Sequence, residues 1–411
     1  MSAKAMDWLL KNARITDDKP LIDLGIVSGH ISIFKAASNV SATKTWDLQG
    51  RVVLPGLIDL HTHLDKTYTT LENQSGTLLE AIEVWHKIKH TRSKIDIEKA
   101  VEKALRTAIA NGVTKMRSHI DLIETGDLDT LEVVQDVQAR MNGLIDLELV
   151  ALGDANGSDE NVAVLEQSLV QGVDFIGGAP SLSADSADAI DAAFDMAEQL
   201  GKPLDLHIDE TEDPAMLALE HLADQTIARG MQGMVTAGHC CSLSFVDPNR
   251  ARRVIDKVAK AQITVVTLPS CNLVLMGRNM TPTPRGTTPV KALLEQGVNV
   301  CAASDNVHDP FNPFGDYDLL QIANINAHTA HLTGEMELYT SLNMVSKFPA
   351  QAMSNSNYGL EDGCIADLVV VDTTRVLNAV VSPPSRLATF KAGQLIVKTT
   401  VEQTWPSLTE V

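Results

Sequence analysis

One pattern recurs eight times between residues 52 and 303: a short apolar run that reads as a buried strand, followed by a longer stretch of helical period. The runs fall at 52–60, 115–119, 146–152, 175–178, 203–207, 234–239, 263–268 and 298–303. Helical stretches such as 97–111, 187–200 and 213–230 lie between them, several with glycine at or near an end. Strands that are apolar throughout must be covered on both faces, and eight such units of about 30 residues are the size of a (β/α)8 barrel. The expected fold class is therefore α/β, with a TIM barrel over residues 53–354. The two ends read differently. Runs such as Trp8-Leu9-Leu10, Ile31-Ser32-Ile33-Phe34 and Leu368-Val369-Val370-Val371 are separated by turn signals and suggest small antiparallel strands. Neither end is long enough to bury a good core by itself. Residues 1–52 and 355–411 are therefore expected to build one small β-sandwich domain together.

Charge and composition exclude several kinds of partner. Lys plus Arg number 33 against 53 Asp plus Glu, a formal charge of −20, which repels nucleic-acid phosphates and anionic membrane surfaces alike. No apolar run approaches the roughly 20 residues that span a bilayer. The first 18 residues lack the apolar core and cleavage site of a secretory leader. Five cysteines without a C-x-x-C pair make no disulfide framework. A reducing cytoplasm is the expected location.

Chemistry-bearing side chains gather where a barrel places its active site, at the C-terminal ends of the strands. His61-Thr62-His63 closes the first run, and residues i and i+2 of a strand share a face, so both imidazoles enter one space suited to a divalent cation. His207 ends the fifth run, with Glu210 three residues on. His239 ends the sixth, and Asp305 follows the eighth. Spacings of 146, 32 and 66 residues from His61 through His207 and His239 to Asp305 correspond to about four, one and two barrel units. Each residue singly could be a satisfied polar group of the core. Their common phase at strand ends is the signal.

With these residues in view, the sequence resembles the amidohydrolase superfamily, in its bacterial cytosine deaminase-like branch. The resemblance is carried by Leu54-Pro55-Gly56-Leu57-Ile58-Asp59-Leu60-His61-Thr62-His63-Leu64-Asp65, Gln74-Ser75-Gly76-Thr77-Leu78, Arg117-Ser118-His119-Ile120-Asp121, Leu206-His207-Ile208-Asp209-Glu210 and Ser304-Asp305-Asn306. It implies that His61, His63, His207 and Asp305 hold one divalent metal ion, iron or zinc. It also implies that His239 polarises the attacking water, that Glu210 delivers a proton to a ring nitrogen, and that Asp305 shuttles a proton to the leaving amine. No lysine is evident where dinuclear relatives keep a carbamylated bridge. The implied activity is hydrolytic deamination of an amino-substituted nitrogen heterocycle, pyrimidine-like or triazine-like. The same metal site would also serve hydrolysis of a cyclic or N-acyl amide. A non-catalytic assembly relative would be expected to have lost ligands that are present here. A homo-oligomer is expected by the same likeness.

One departure from the branch concerns Asp154, which stands where a glutamine reads the substrate edge. A carboxylate accepts hydrogen bonds but cannot donate them, favouring a ring rich in donors. Alternatively Asp154 is a loop residue and Asn156 makes the contact. Asn306 faces the substrate or braces Asp305 through a turn. His119 either touches substrate or supports the ligands from behind. Gln74, Lys66 and Arg278 are further polar candidates for the pocket. His86 and His90 are read as a solvated helix face, Cys240-Cys241 as buried structural thiols, and Ser270-Cys271-Asn272 as pocket wall. Residues 279–288, rich in Thr and Pro, are expected to form a surface loop over the site.

Overall fold

The computed structural model describes residues 6–35 and 40–405. The outermost residues of the expected small domain, 1–5 and 406–411, lie outside the described residues, as does the start of the stretch examined for a leader. The chain opens with β1 (Met6–Ala13), β2 (Ile22–Val27), β3 (His30–Lys35) and β4 (Ala42–Asp47), a sheet ordered β3-β2-β1-β4. The β1–β4 pair is parallel, not the antiparallel neighbour its short runs suggested.

β5 (Val52–Pro55) comes next and precedes the eight barrel strands. These are β6 (Leu57–Thr62), β7 (Val113–Asp121), β8 (Asp146–Leu152), β9 (Phe175–Gly178), β10 (Leu204–Ile208), β11 (Val235–His239), β12 (Thr264–Thr267) and β13 (Val300–Ala302). They follow one another in sequence order around a parallel sheet. Its two ends meet at the bridge Thr62–Asp305, where the Asp305 N–H donates to His61 O at 2.9 Å. One layer down, the Ser304 N–H donates to Asp59 Oδ1 at 3.1 Å.

The expected first run, 52–60, is two strands with different partners. β5 leaves the barrel and pairs antiparallel with β14 (Leu368–Val371), in a sheet completed by β15 (Arg386–Lys391) and β16 (Gln394–Lys398). A boundary at residue 53 therefore cuts through β5. The cause lies at Gly56: a Cβ there would sit 2.3 Å from Thr114 Oγ1 and 2.5 Å from its Cγ2, so only glycine lets the chain turn against β7. Alternate residues of β14 serve different cores. Leu368 and Val370 face the sandwich with Leu10, Leu24, Ile26 and Phe390, whereas Val369 and Val371 join the barrel core. This double burial explains the unbroken apolar run. The short helix Asn378–Val381 also packs on the barrel, its Val380 carbonyl accepting from Asn324 Nδ2 at 2.7 Å.

Helices cover the outer face, as their apolar spacing requires. α1 (Leu78–Ile88) and α2 (Lys94–Ala110) follow β6; α2 buries Ile97, Val101, Ala104, Leu105 and Ala108 along one stripe. α3 (Asp127–Met141), α4 (Asp159–Val170), α5 (Ser186–Leu200), α6 (Ala218–Ala228) and α7 (Pro248–Ala261) continue the alternation. α6 begins five residues later than the pattern at 213–230 suggested, because its first turn is capped from a distance. Asp209 accepts from the backbone N–H of Ala218 at 2.8 Å and of Leu219 at 3.1 Å. Among the described residues no helix is long and apolar enough to cross a membrane.

Replacing Gly56 by Ala should force Thr114 and β7 aside and cost about 1–3 kcal/mol of stability, measured as a lower midpoint in urea unfolding.

Candidate active site

The alternation of β6 turns His61 and His63 into the barrel mouth, their ring centroids 5.4 Å apart. His207 comes from β10, 4.6 Å from the His61 ring and 5.2 Å from that of His63. His239 ends β11, 5.1 Å from His207, and Asp305 follows β13 with Oδ1 3.3 Å from His63 Nε2 and 3.6 Å from His61 Nε2. Asp209, His239 and Asp305 all adopt left-handed backbone conformations, with φ of 54°, 67° and 59°. Non-glycine residues rarely do so, and such strain collects at functional sites.

The cluster is short of protons. Burial drives His61, His63 and His239 well below the usual imidazole range and His207 down to about 3, so all four rings are neutral. Burial pushes Asp305 up to about 7. Both nitrogens of His61, Nδ1 of His207, Nε2 of His239 and both oxygens of Asp305 are buried without a hydrogen-bond partner. His207 Nε2 and His63 Nε2 face each other at 3.2 Å. Neutral rings, each offering one nitrogen lone pair, and a carboxyl group that lacks hydrogen-bond partners converge here, a donor set that a borderline divalent cation satisfies. The triads His61–His63–Asp305 and His61–His207–His239 each bring their ligand atoms within 4.8 Å of one another.

Glu210 stands beside this cluster, Oε1 3.3 Å from His239 Nδ1, with its side chain 12% exposed. Burial and the nearby Asp305 carboxylate raise it well above the usual carboxyl range, so it holds its proton at neutral pH. Together with His63, His207 and His239 it forms the floor of a cavity of about 220 Å³. That is smaller than the roughly 300–1,000 Å³ typical of drug-sized ligands and suits a small ring. The walls are Leu78, Ile82 and Trp85 of α1, Pro180 and Leu182 after β9, and Phe311 after β13. Asp154 and Asn306 line the same cavity.

Two candidates for substrate contact lie elsewhere. His119 is one layer too deep, because β7 runs on to Asp121 and it is Asp121 that reaches the cavity. The His119 ring lies 4.0 Å from that of His61, with Nε2 3.6 Å from Asp205 Oδ1. Asp205 is in turn held by the buried Arg117 at 2.8 Å. Gln74 is exposed and outside the lining; its loop is folded on itself by Glu80, which accepts from the Gln74 N–H at 3.0 Å. Asn156 is exposed too, and its N–H donates to Asp154 Oδ1 at 3.0 Å. None of residues 279–288 lines the cavity; Thr288 instead donates to the His239 carbonyl at 2.5 Å. Residues 270–272 lie on the helix Pro269–Leu275 behind His239, not on the wall. Arg278 is spent at the rim, donating to the Ser75 carbonyl at 3.3 Å. His86 is exposed at the cavity edge, and Cys240 and Cys241 are buried.

Asn272, read from the sequence as pocket wall, instead contacts His239 Nδ1 with its amide at 3.0 Å and so fixes that ring. Lys66, a candidate from the sequence, does line the cavity, but its partners were missed: Trp85 and Asp121 in the same wall and Asp65 behind it, from three separate segments. Gly238 was equally silent: a Cβ there would lie 3.0 Å from His61 Cε1 and 3.2 Å from its Nδ1, across the barrel.

The model of the amidohydrolase family matches residues 44–131 and 90–405. The chain is 32% identical over 383 residues to a pterin deaminase of Rhizobium rhizogenes, covering 91% of this chain and 87% of that one. It is 27% identical to an N-isopropylammelide isopropyl amidohydrolase of Pseudomonas sp. strain ADP, over 96% and 98% of the two chains. A 5-methylcytosine deaminase from Klebsiella pneumoniae, solved with phosphonocytosine bound, superposes with a TM-score of 0.91 at 29% identity, covering 97% of this chain and all of that one. The chain belongs to the amidohydrolase family.

Gly238→Ala should displace the His61 ring by a few tenths of an ångström and lower metal affinity about 10- to 100-fold while the protein stays folded. Metal content after dialysis against a weak chelator measures this.

Proposed function

We propose that the protein is a metal-dependent deaminase that removes ammonia or an amine from an amino-substituted nitrogen heterocycle by hydrolysis. The observation that carries this reading is Glu210: a carboxyl kept protonated by burial, in the floor of a small cavity, 3.3 Å from His239 and beside an unsatisfied His/Asp cluster. A buried acid of that kind is what a ring nitrogen needs when the adjacent carbon is to be attacked. The three relatives described above are named for pterin, ammelide and 5-methylcytosine, all nitrogen heterocycles, which supports the substrate class.

His61, His63, His207 and Asp305 would hold one divalent ion, iron or zinc, and such an ion makes hydroxide available from water near neutral pH. Glu210 donates its proton to the ring nitrogen and draws electrons from the neighbouring carbon. His239, neutral and fixed by Asn272, keeps Nε2 free for the attacking water. Asp305, the carboxylate of the set, accepts a proton from water and returns it to the departing nitrogen. One C–O bond forms and the exocyclic C–N bond breaks; ammonia or an amine leaves, the ring nitrogen keeps the proton from Glu210, and the hydroxyl proton of the adduct returns to Glu210 as the product carbonyl forms. Asn306 is held by its own bond to Asp309 Oδ2 at 2.6 Å and presents its amide to the substrate. Asp154 accepts from a ring N–H or amino group.

We place the enzyme in the cytoplasm, as a homo-oligomer that acts on small molecules and binds neither nucleic acid nor membrane. Free cysteines support a reducing compartment and the net charge of −20 speaks against nucleic acid and anionic membranes, while the homo-oligomer rests on the family likeness alone.

The test is ammonia release by iron- or zinc-loaded protein from pterin, isocytosine, cytosine and aminotriazines. Turnover of at least one ring is expected, and Glu210→Gln should cut kcat about 10²- to 10⁴-fold with little change in KM. Hydrolysis of cyclic amides alone, with every amino ring untouched, would replace this reading. Asp154→Gln should raise the ratio of cytosine to isocytosine turnover, because a side chain that both donates and accepts replaces one that only accepts; an unchanged ratio removes Asp154 from substrate recognition.

A further inference from the structure

The chemistry above leaves unused the one buried cation in the cavity wall. Lys66 is 3% exposed and lines the cavity. Its Nζ lies 2.5 Å from Asp121 Oδ1 and 3.3 Å from Asp65 Oδ2. Neither carboxylate is free to follow it: Trp85 donates its indole N–H to the other Asp121 oxygen at 2.5 Å, and the Asp121 N–H donates to Asp65 Oδ2 at 3.0 Å. The ammonium is thus aimed by groups that are themselves fixed.

An ammonium has three N–H donors, and two are spent on the carboxylates. The remaining polar neighbour is His63 Nδ1 at 3.5 Å, long for a hydrogen bond. That contact would be lost with a metal ion held by His63. His63 turns Nε2 toward Asp305 and His207, so Nε2 is the atom it offers to a metal ion. A neutral ring coordinating through Nε2 carries its proton on Nδ1 and cannot accept there. The third N–H of Lys66 is then left to whatever fills the cavity.

We propose that Lys66 is a specificity-determining residue that donates this N–H to an exocyclic oxo group of the substrate, so that the ring selected is an amino-oxo heterocycle, a cyclic lactam, over the same amino ring without the oxo group. A lactam sets a carbonyl acceptor beside a ring N–H donor. Lys66 serves the first and Asp154, in the same cavity, serves the second. A ring lacking the carbonyl leaves one N–H of the buried ammonium without an acceptor, and an unmet polar group in a site of this kind discriminates strongly. The inference rests on the deaminase reading and names its substrate class more narrowly.

The experiment compares calorimetric Kd values for matched pairs, pterin with 2-aminopteridine and isocytosine with 2-aminopyrimidine, on metal-loaded Glu210→Gln protein, whose slowed turnover is subtracted as a steady heat. With Lys66 present, the oxo member of at least one pair should bind about 10- to 100-fold more tightly. In Lys66→Met that ratio should fall to within about threefold of one. Because this change leaves two buried carboxylates without their cation, Lys66→Met/Asp121→Asn is measured alongside, with thermal melts confirming that each variant folds. A ratio that survives in the folded variants, or that is already one with Lys66 in place, overturns the assignment, as does failure of every ring to bind. The two readings fail separately. Lys66-dependent binding without wild-type turnover of any amino ring removes the deaminase and keeps the oxo contact, whereas turnover with undiscriminating binding does the reverse.

Discussion

The site depends on one joint, the seam where the last barrel strand meets the first. Few backbone bonds close this seam, and those that do belong to the candidate metal ligands themselves. The Asp305 amide donates to the His61 carbonyl, Thr62 Oγ1 donates to the Asp305 carbonyl at 2.8 Å, and Ser304 leans on Asp59 one layer below. The left-handed backbone at Asp305 is part of that closure. Ring closure and ligand placement are therefore a single structural event, and a barrel that failed to close would also lack a site.

Around that joint the interior is arranged by depth. Arg117, Glu148 and Asp205 neutralise one another below the cluster; Arg117 is buried, stacked 3.8 Å from the Phe175 ring and bonded to both carboxylates at 2.8 Å. His119 and His61 occupy the next level. His63, His207, Glu210 and Asp121 reach the cavity. Each step is one alternation along an inward-facing strand, which is why a histidine at the end of an expected strand turned out to lie beneath the chemistry.

Much of this was legible from residue spacing. His61, His63, His207, His239 and Asp305 announced themselves because each sits at the end of an apolar run, and runs are visible in a sequence. The sequence left His119 open between substrate contact and a place behind the ligands, and the continuation of β7 through Ile120 to Asp121 decides for the second. The split at Gly56 had only the Pro55-Gly56 dipeptide as a signal, inside a run otherwise apolar on both sides, and the close approach of Thr114 shows that the partner changes there. Gln74 was a candidate because its stretch is one of those that carry the family likeness, but local bonding to Glu80 folds its loop on itself and leaves Gln74 exposed. The group of Lys66, Trp85 and Asp121 is a meeting of three elements, and no short stretch of sequence carries it.

β5 and β14 are 312 residues apart from end to start, and they are direct neighbours in the sheet. As the chain leaves the ribosome, Val52, Val53 and Leu54 emerge early and then wait for nearly the whole remaining length to be made before their partner exists. Valines 369 and 371, which cover part of the barrel core, arrive with that same late segment. The nascent chain therefore carries an unpaired apolar edge and an uncovered patch of barrel through most of its synthesis. A shielding partner during translation would serve this protein more than one that acts on the finished chain.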